Sequence, residues 1–139
     1  MATTATVTIA SDIYSGFAGI TKTMTMTKAG TLNDIEETTG FSRRKLAATT
    51  AVDLITMANE LVEPTDNTAA KVYIKNTGTD KSTYVTISIG DTGGTPQPIG
   101  RLYGGDWLLM PVTVVDDKDV VATPETDNAV VLEYVMFFE

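Results

Sequence analysis

The 139-residue chain contains no histidine and no cysteine. Those absences remove Ser-His and Cys-His nucleophile pairs, imidazole acid-base catalysis and zinc sites built on either residue. Disulfides are removed too, which fits synthesis in a reducing compartment or a protein made there and released later. No apolar run approaches the roughly 18 residues that span a bilayer, so a soluble protein without a membrane partner is expected. The opening MATTATVTIASD has neither a basic stretch nor a continuous apolar one, and no cleaved secretory signal is predicted. Basic residues are also few: 10 Lys+Arg stand against 18 Asp+Glu, a formal net charge of -8. That charge repels a phosphate backbone at long range, and nucleic acid is not an expected partner. The acidity itself reads either as colloidal solubility or as preparation for a basic partner surface.

With His and Cys absent, catalysis is left to carboxylates, which in glycosidases work as a pair roughly 5 to 10 Å apart in a cleft. Nothing in the sequence marks such a pair. No catalytic residue, cofactor or metal is expected, and the chain reads as non-enzymatic. The densest acidic run, Asp116-Asp117-Lys118-Asp119, lacks the alternating ligands and glycine of a calcium loop and is expected to be a solvated turn. Gly90 to Gly94, GDTGG, lacks the lysine and following helix of a phosphate cradle and also reads as a turn.

What the chain does have is strand pattern. Its length suits one domain, which buries about two-thirds of its unfolded surface and folds without staples. Residues 1–45 are rich in Thr, Ala and small polar residues and are read as an extended N-terminal arm; residues 46–139 are read as the folded domain. Within the arm, Thr23-Met24-Thr25-Met26-Thr27 alternates, placing Met24 and Met26 on one face and threonines on the other, and Val7 and Ile9 do the same on a smaller scale. Thr31 with Asp34 suggests a capping box for a short helix ending near Gly40. Arg43, Arg44 and Lys45 follow as the one dense basic cluster, either docking on an acidic neighbour or forming a solvated loop.

Residues 51–62 are ambiguous: Leu54, Met57, Ala58 and Leu61 recur at helical spacing, while Val52, Ile55 and Thr56 favour the strand that is preferred here. Beyond them, AKVYIKN and TYVTISI alternate cleanly around NTGTDKS and are predicted to pair as an antiparallel hairpin. PIGRLY and WLLMPV are two further strands, and Val120 with Val121 a brief one. Trp107, the only tryptophan, is expected to be buried with Leu108, Leu109 and Met110 rather than exposed as a sugar-stacking platform. Six or more short strands at this spacing predict an all-β fold, an antiparallel β-sandwich resembling a jelly roll.

The closing AVVLEYVMFFE is apolar on both faces. Val130, Leu132, Tyr134, Met136 and Phe138 share one side, and Val131, Val135 and Phe137 the other, with Glu133 interrupting. Such a strand is either central with both sides covered or lies at a subunit interface, and the interface is preferred. The interface candidates are therefore Met24, Met26, Arg43, Arg44, Lys45, Val131, Val135 and Phe137.

Taken in order, KVYIKNTGTD, TYVTISIG, PIGRLYGGDWLLMPV and AVVLEYVMFFE resemble segments of small virion proteins of tailed bacteriophages, over residues 70–139. That resemblance implies a non-enzymatic β-sandwich, often a homotrimer, that decorates or cements the capsid, or sits in the tail, collar or fibre base. Its partners would be copies of itself and the major capsid or another virion protein. Its location would be the virion after synthesis in the host cytoplasm, and residues 1–45 would be the clamp that reaches neighbours. The alternative from another class is a carbohydrate-binding β-sandwich module, which needs exposed aromatics and is disfavoured by a buried Trp107.

Overall fold

The computed structural model describes residues 3–10, 19–26, 37–47, 49–60, 69–126 and 129–138. Among them are eleven strands and a single helical turn, so the fold is all-β, and no helix is long and apolar enough to cross a membrane. A separate hairpin comes first, β1 (Thr3–Ile9) with β2 (Ile20–Met26). Two antiparallel sheets follow and pack face to face. One has the order β5 (Val52–Ile55), β10 (Val120–Pro124), β7 (Tyr84–Ile89), β8 (Gln97–Tyr103). In the other, β11 (Val130–Phe138) and β6 (Ala69–Asn76) are flanked by β9 (Trp107–Thr113) on one side, and by β3 (Glu37–Thr38) and β4 (Ser42–Leu46) on the other.

From β4 onward the chain changes sheet at every connection except β7 to β8. Eight strands wound in this order form a jelly roll. The hairpin expected between β6 and β7 is therefore a crossover: β6 pairs with β11 and β9, and β7 with β8 and β10. Alternation specifies which face of a strand is apolar, but not which strand lies beside it.

The core forms from one alternate set of each strand. Val72 and Ile74 on β6, Val85 and Ile87 on β7, Val120 and Ala122 on β10, and Leu132 and Met136 on β11 are fully buried. Asn76 is the polar exception at the end of β6. Its Nδ2 donates to the Leu102 carbonyl at 3.0 Å and its Oδ1 accepts from the Gly78 N–H at 2.9 Å, so its burial leaves both groups satisfied. Gly104 lies beside it, donating its N–H to the Asp80 carbonyl at 3.0 Å.

Three expectations are revised by these placements. Thr31 and Asp34 lie outside the described residues, but Glu37 and Thr38 form β3 against β11, so the proposed short helix does not reach Gly40. β4 pairs with β11 along residues 42–46, which carries the sheet back into the stretch read as the arm. The ambiguous segment divides: Val52–Ile55 is the preferred strand, and Met57–Glu60 a helical turn whose Met57 N–H donates to the Asp119 carboxylate at 2.7 Å.

Candidate functional site

The outward face of the β4-β11-β6-β9 sheet gathers most of the residues with binding chemistry. Register sets Arg43, Glu133, Lys75 and Trp107 in one row, since Arg43 pairs with Glu133, Glu133 with Lys75 and Lys75 with Trp107. In the next row Val135 pairs with Tyr73, and Tyr73 with Leu109. Phe41, just ahead of β4, brings its ring to 6.2 Å from Tyr73, and Tyr73 is 6.2 Å from Trp107, with interplanar angles of 37° and 35°. An oblique line of three aromatic rings thus crosses the sheet. Phe41 is 63% exposed and Trp107 45% exposed. Trp107 is not buried as expected, because alternation turns Leu108 and Met110 inward and leaves Trp107 and Leu109 on the outer side.

Charge on this face opposes that of the whole chain. The outward positions of its strands hold Arg43, Lys45, Lys71 and Lys75 against one carboxylate, Glu133, which forms an ion pair with Arg43. Burial lowers the Lys71 ammonium, while burial and the nearby Glu133 charge push the Tyr73 hydroxyl up.

The β1–β2 hairpin approaches the same face. Its threonine side, Thr4, Thr6 and Thr8 opposite Thr25, Thr23 and Thr21, is tied by a 2.8 Å Thr6–Thr23 hydroxyl hydrogen bond. The other side carries Ala5, Val7, Met24 and Met26. Between hairpin and sheet lies a cleft of about 280 Å³, with Ala5 and Val7 on one wall and Tyr73, Trp107 and Leu109 on the other. A second cleft of about 370 Å³ adds Lys22, Met24 and Lys71.

The interface candidates separate into groups. Met26 is buried within the chain, and so is Val135, although it lies on the outer side of β11. Phe137 and Val131 are half-buried, while Met24, Arg43, Arg44 and Lys45 are exposed. Arg44 donates to the Asp53 carbonyl. The outer side of β11 is thus less available than its composition suggested, and the exposed apolar side chains lie around it: Phe41 and Trp107 to either side on the same face, Val7, Ile9, Ile20 and Met24 on the hairpin, and Ile99 and Val115 at an opening of about 370 Å³ beside β8 and β9.

Away from this face, Asp53, Asp91 and Asp119 bring carboxylate oxygens within 4.8 Å of one another. Oxygen clusters of this kind suit hard cations. Asp53 Oδ2 accepts from the Thr92 hydroxyl at 2.9 Å, and its buried Oδ1 has no hydrogen-bond donor among the described residues. Asp116 and Asp117 form the exposed turn that was expected, but Asp119 is buried. Desolvation raises its pKa, and the charges of Asp53, Asp91 and Asp116 add to the shift, against the lowering effect of the Met57 N–H.

Asp119 thus binds its proton more tightly when folded than when unfolded. Its contribution to stability is full below the ordinary aspartate range, and is lost as pH rises through the raised value. Asp119→Asn keeps an acceptor for Met57 and cannot ionise, so in thermal melts it is expected to lack the corresponding fall in melting temperature as pH rises above the ordinary aspartate range. Asp119→Ala leaves the Met57 N–H without that acceptor and is expected to cost about 1–3 kcal/mol. An asparagine variant whose pH profile tracks the parent would show that Asp119 is not the group responsible.

No family model and no curated protein matches the chain. One solved structure with some likeness comes from Bacillus endospore appendages, described as a novel family of disulfide-linked pili. It has a TM-score of 0.43 and 18% identity, over 78% of this chain and 93% of that one. That neighbour is a pilus protein and not a phage capsid protein, and a likeness so slight assigns no function.

Proposed function

We propose that the protein is a non-enzymatic structural subunit that assembles with copies of itself through the far end of its β1–β2 hairpin. The observation that carries this reading is the Ile9–Ile20 pair, 50% and 47% exposed on the apolar side of that hairpin. Two large aliphatic side chains paired at one end of a two-stranded ribbon gain from any apolar cover, and an isolated hairpin is marginal without it. In its finer form the reading is a decoration or cement protein on the head of a tailed phage, with tail, collar or fibre base as the alternative location. The sequence resemblance over residues 70–139 supports that finer form.

Light scattering during size exclusion tests the assembly. The parent is expected to elute as an oligomer, and Ile9→Asp/Ile20→Asp as a monomer with unchanged strand content by circular dichroism. A parent that is monomeric at all concentrations removes the self-association. Cosedimentation with purified phage heads tests the location, and a parent left in the supernatant removes the decoration role.

A further inference from the structure

We propose that the outward face of the β4-β11-β6-β9 sheet, around Phe41, Tyr73 and Trp107, is a binding site for an acidic polysaccharide whose sugars carry carboxylates. Three features converge there. First, the rings form a continuous stacking surface, with successive centroids 6.2 Å apart and both end rings open to solvent. Large exposed aromatics are costly in water, and pyranose rings offer flat C–H faces that cover them while their hydroxyls stay wet. Second, the cleft under the hairpin gives this surface a wall, so that a chain lying on Tyr73 and Trp107 is also flanked by Ala5 and Val7. Third, the face carries four cations against one carboxylate in a protein whose net charge is -8. Lys45 and Lys75 are placed to pair with carboxylates set along a glycan, as charge-assisted hydrogen bonds.

The local charge and the rings together select the polymer. The acidic remainder of the protein repels any polyanion at long range, and only one whose charges fall beside Lys45 and Lys75 is held. A glycan with carboxylates on its sugars meets those cations while its C–H ring faces cover the aromatics. The site is distinct from the Ile9–Ile20 end of the hairpin, so binding and self-association are separable.

Trp107 is the only tryptophan, and its emission reports on the site directly. Titration of the full chain with polygalacturonate is expected to shift and quench that emission, and to retard the protein in a native gel containing the polymer. Added salt is expected to weaken the effect. Phe41→Ala and Lys75→Gln, both read through the intact Trp107, are each expected to weaken binding by roughly fivefold or more. Trp107→Ala is expected to do the same in the gel. Ile9→Asp/Ile20→Asp is expected to bind as the parent does, even where it changes the oligomer. Dextran binding as tightly as polygalacturonate would overturn the acidic specificity, and tighter binding of oligo(dT) would overturn the choice of polymer. An emission unchanged by polygalacturonate would overturn the site.

Discussion

Leu132→Ala is expected to lower stability by about 2–5 kcal/mol, read as a fall in the urea midpoint with an unchanged slope. Leu132 is fully buried at the middle of the sandwich. Its strand is hydrogen-bonded on both sides, with Leu132 opposite Arg44 on β4 and Asn76 on β6. Paired backbone on either flank prevents the sheet from closing over the lost side chain, so a cavity remains. One residue earlier on the same strand, Val131 faces the other way and is half-buried. Val131→Ala is therefore expected to cost about 1 kcal/mol or less. Equal losses at the two positions would contradict the assignment of the inner face.

Gly104→Ala is expected to cost about 3 kcal/mol or more, through backbone overlap and the hydrogen bonds it forces apart. A Cβ on Gly104 would stand 2.3 Å from the Asp80 carbonyl oxygen and 2.8 Å from its nitrogen, and neither is a flexible side chain that can move aside. The same junction is tied by three further contacts: the Gly105 N–H to the Asn76 carbonyl at 2.9 Å, the Asn76 N–H to the Asp106 carbonyl at 2.9 Å, and the Lys81 ammonium to the Gly104 carbonyl. Shifting Asp80 therefore disturbs the buried Asn76 as well. Gly100 on β8 is the matched control, with nothing within 4 Å of its added Cβ, and Gly100→Ala is expected to fall within about 0.5 kcal/mol of the parent. Parent-like melting of Gly104→Ala would show that the turn has room to rearrange.

Much of the sandwich was legible because half-buried strands announce themselves by alternation. The inward set of β7 was assigned from period two alone, and on β6 and β11 the same period separated the two faces. Partnership was not legible. Residues 77–83 look like a hairpin turn, yet they carry the chain across the sandwich, because Asn76 and Gly104 anchor that corner to the β8–β9 turn. The segment at 51–62 carried both strand and helix signals because it contains one of each.

Function was less legible than fold for a related reason. Phe41, Tyr73 and Trp107 lie more than thirty positions apart, and only the order β4-β11-β6-β9 lines them up. Asp53, Asp91 and Asp119 are likewise drawn from three different segments, which the order β5-β10-β7 brings together. Trp107 was misjudged because the apolar run around it was weighed as a block. Counting alternate positions in WLLMP would have set Trp107 and Leu109 apart from Leu108 and Met110. On β11 period two separated the two apolar sets, but composition gave no sign that Val135 is covered within the chain.

The winding of the jelly roll has a consequence for how the protein is made. β11 lies at the centre of its sheet, between β4 and β6, yet it is translated after both. Until it emerges from the ribosome, β4 has no neighbour to join and β6 is paired on one side only. Local contacts are correspondingly scarce, a topology associated with slow folding and with exposed strand edges while it proceeds. The nascent chain thus depends on β11 to close the sheet, and a chain released before that strand is made would be the shell of a sandwich with its middle missing.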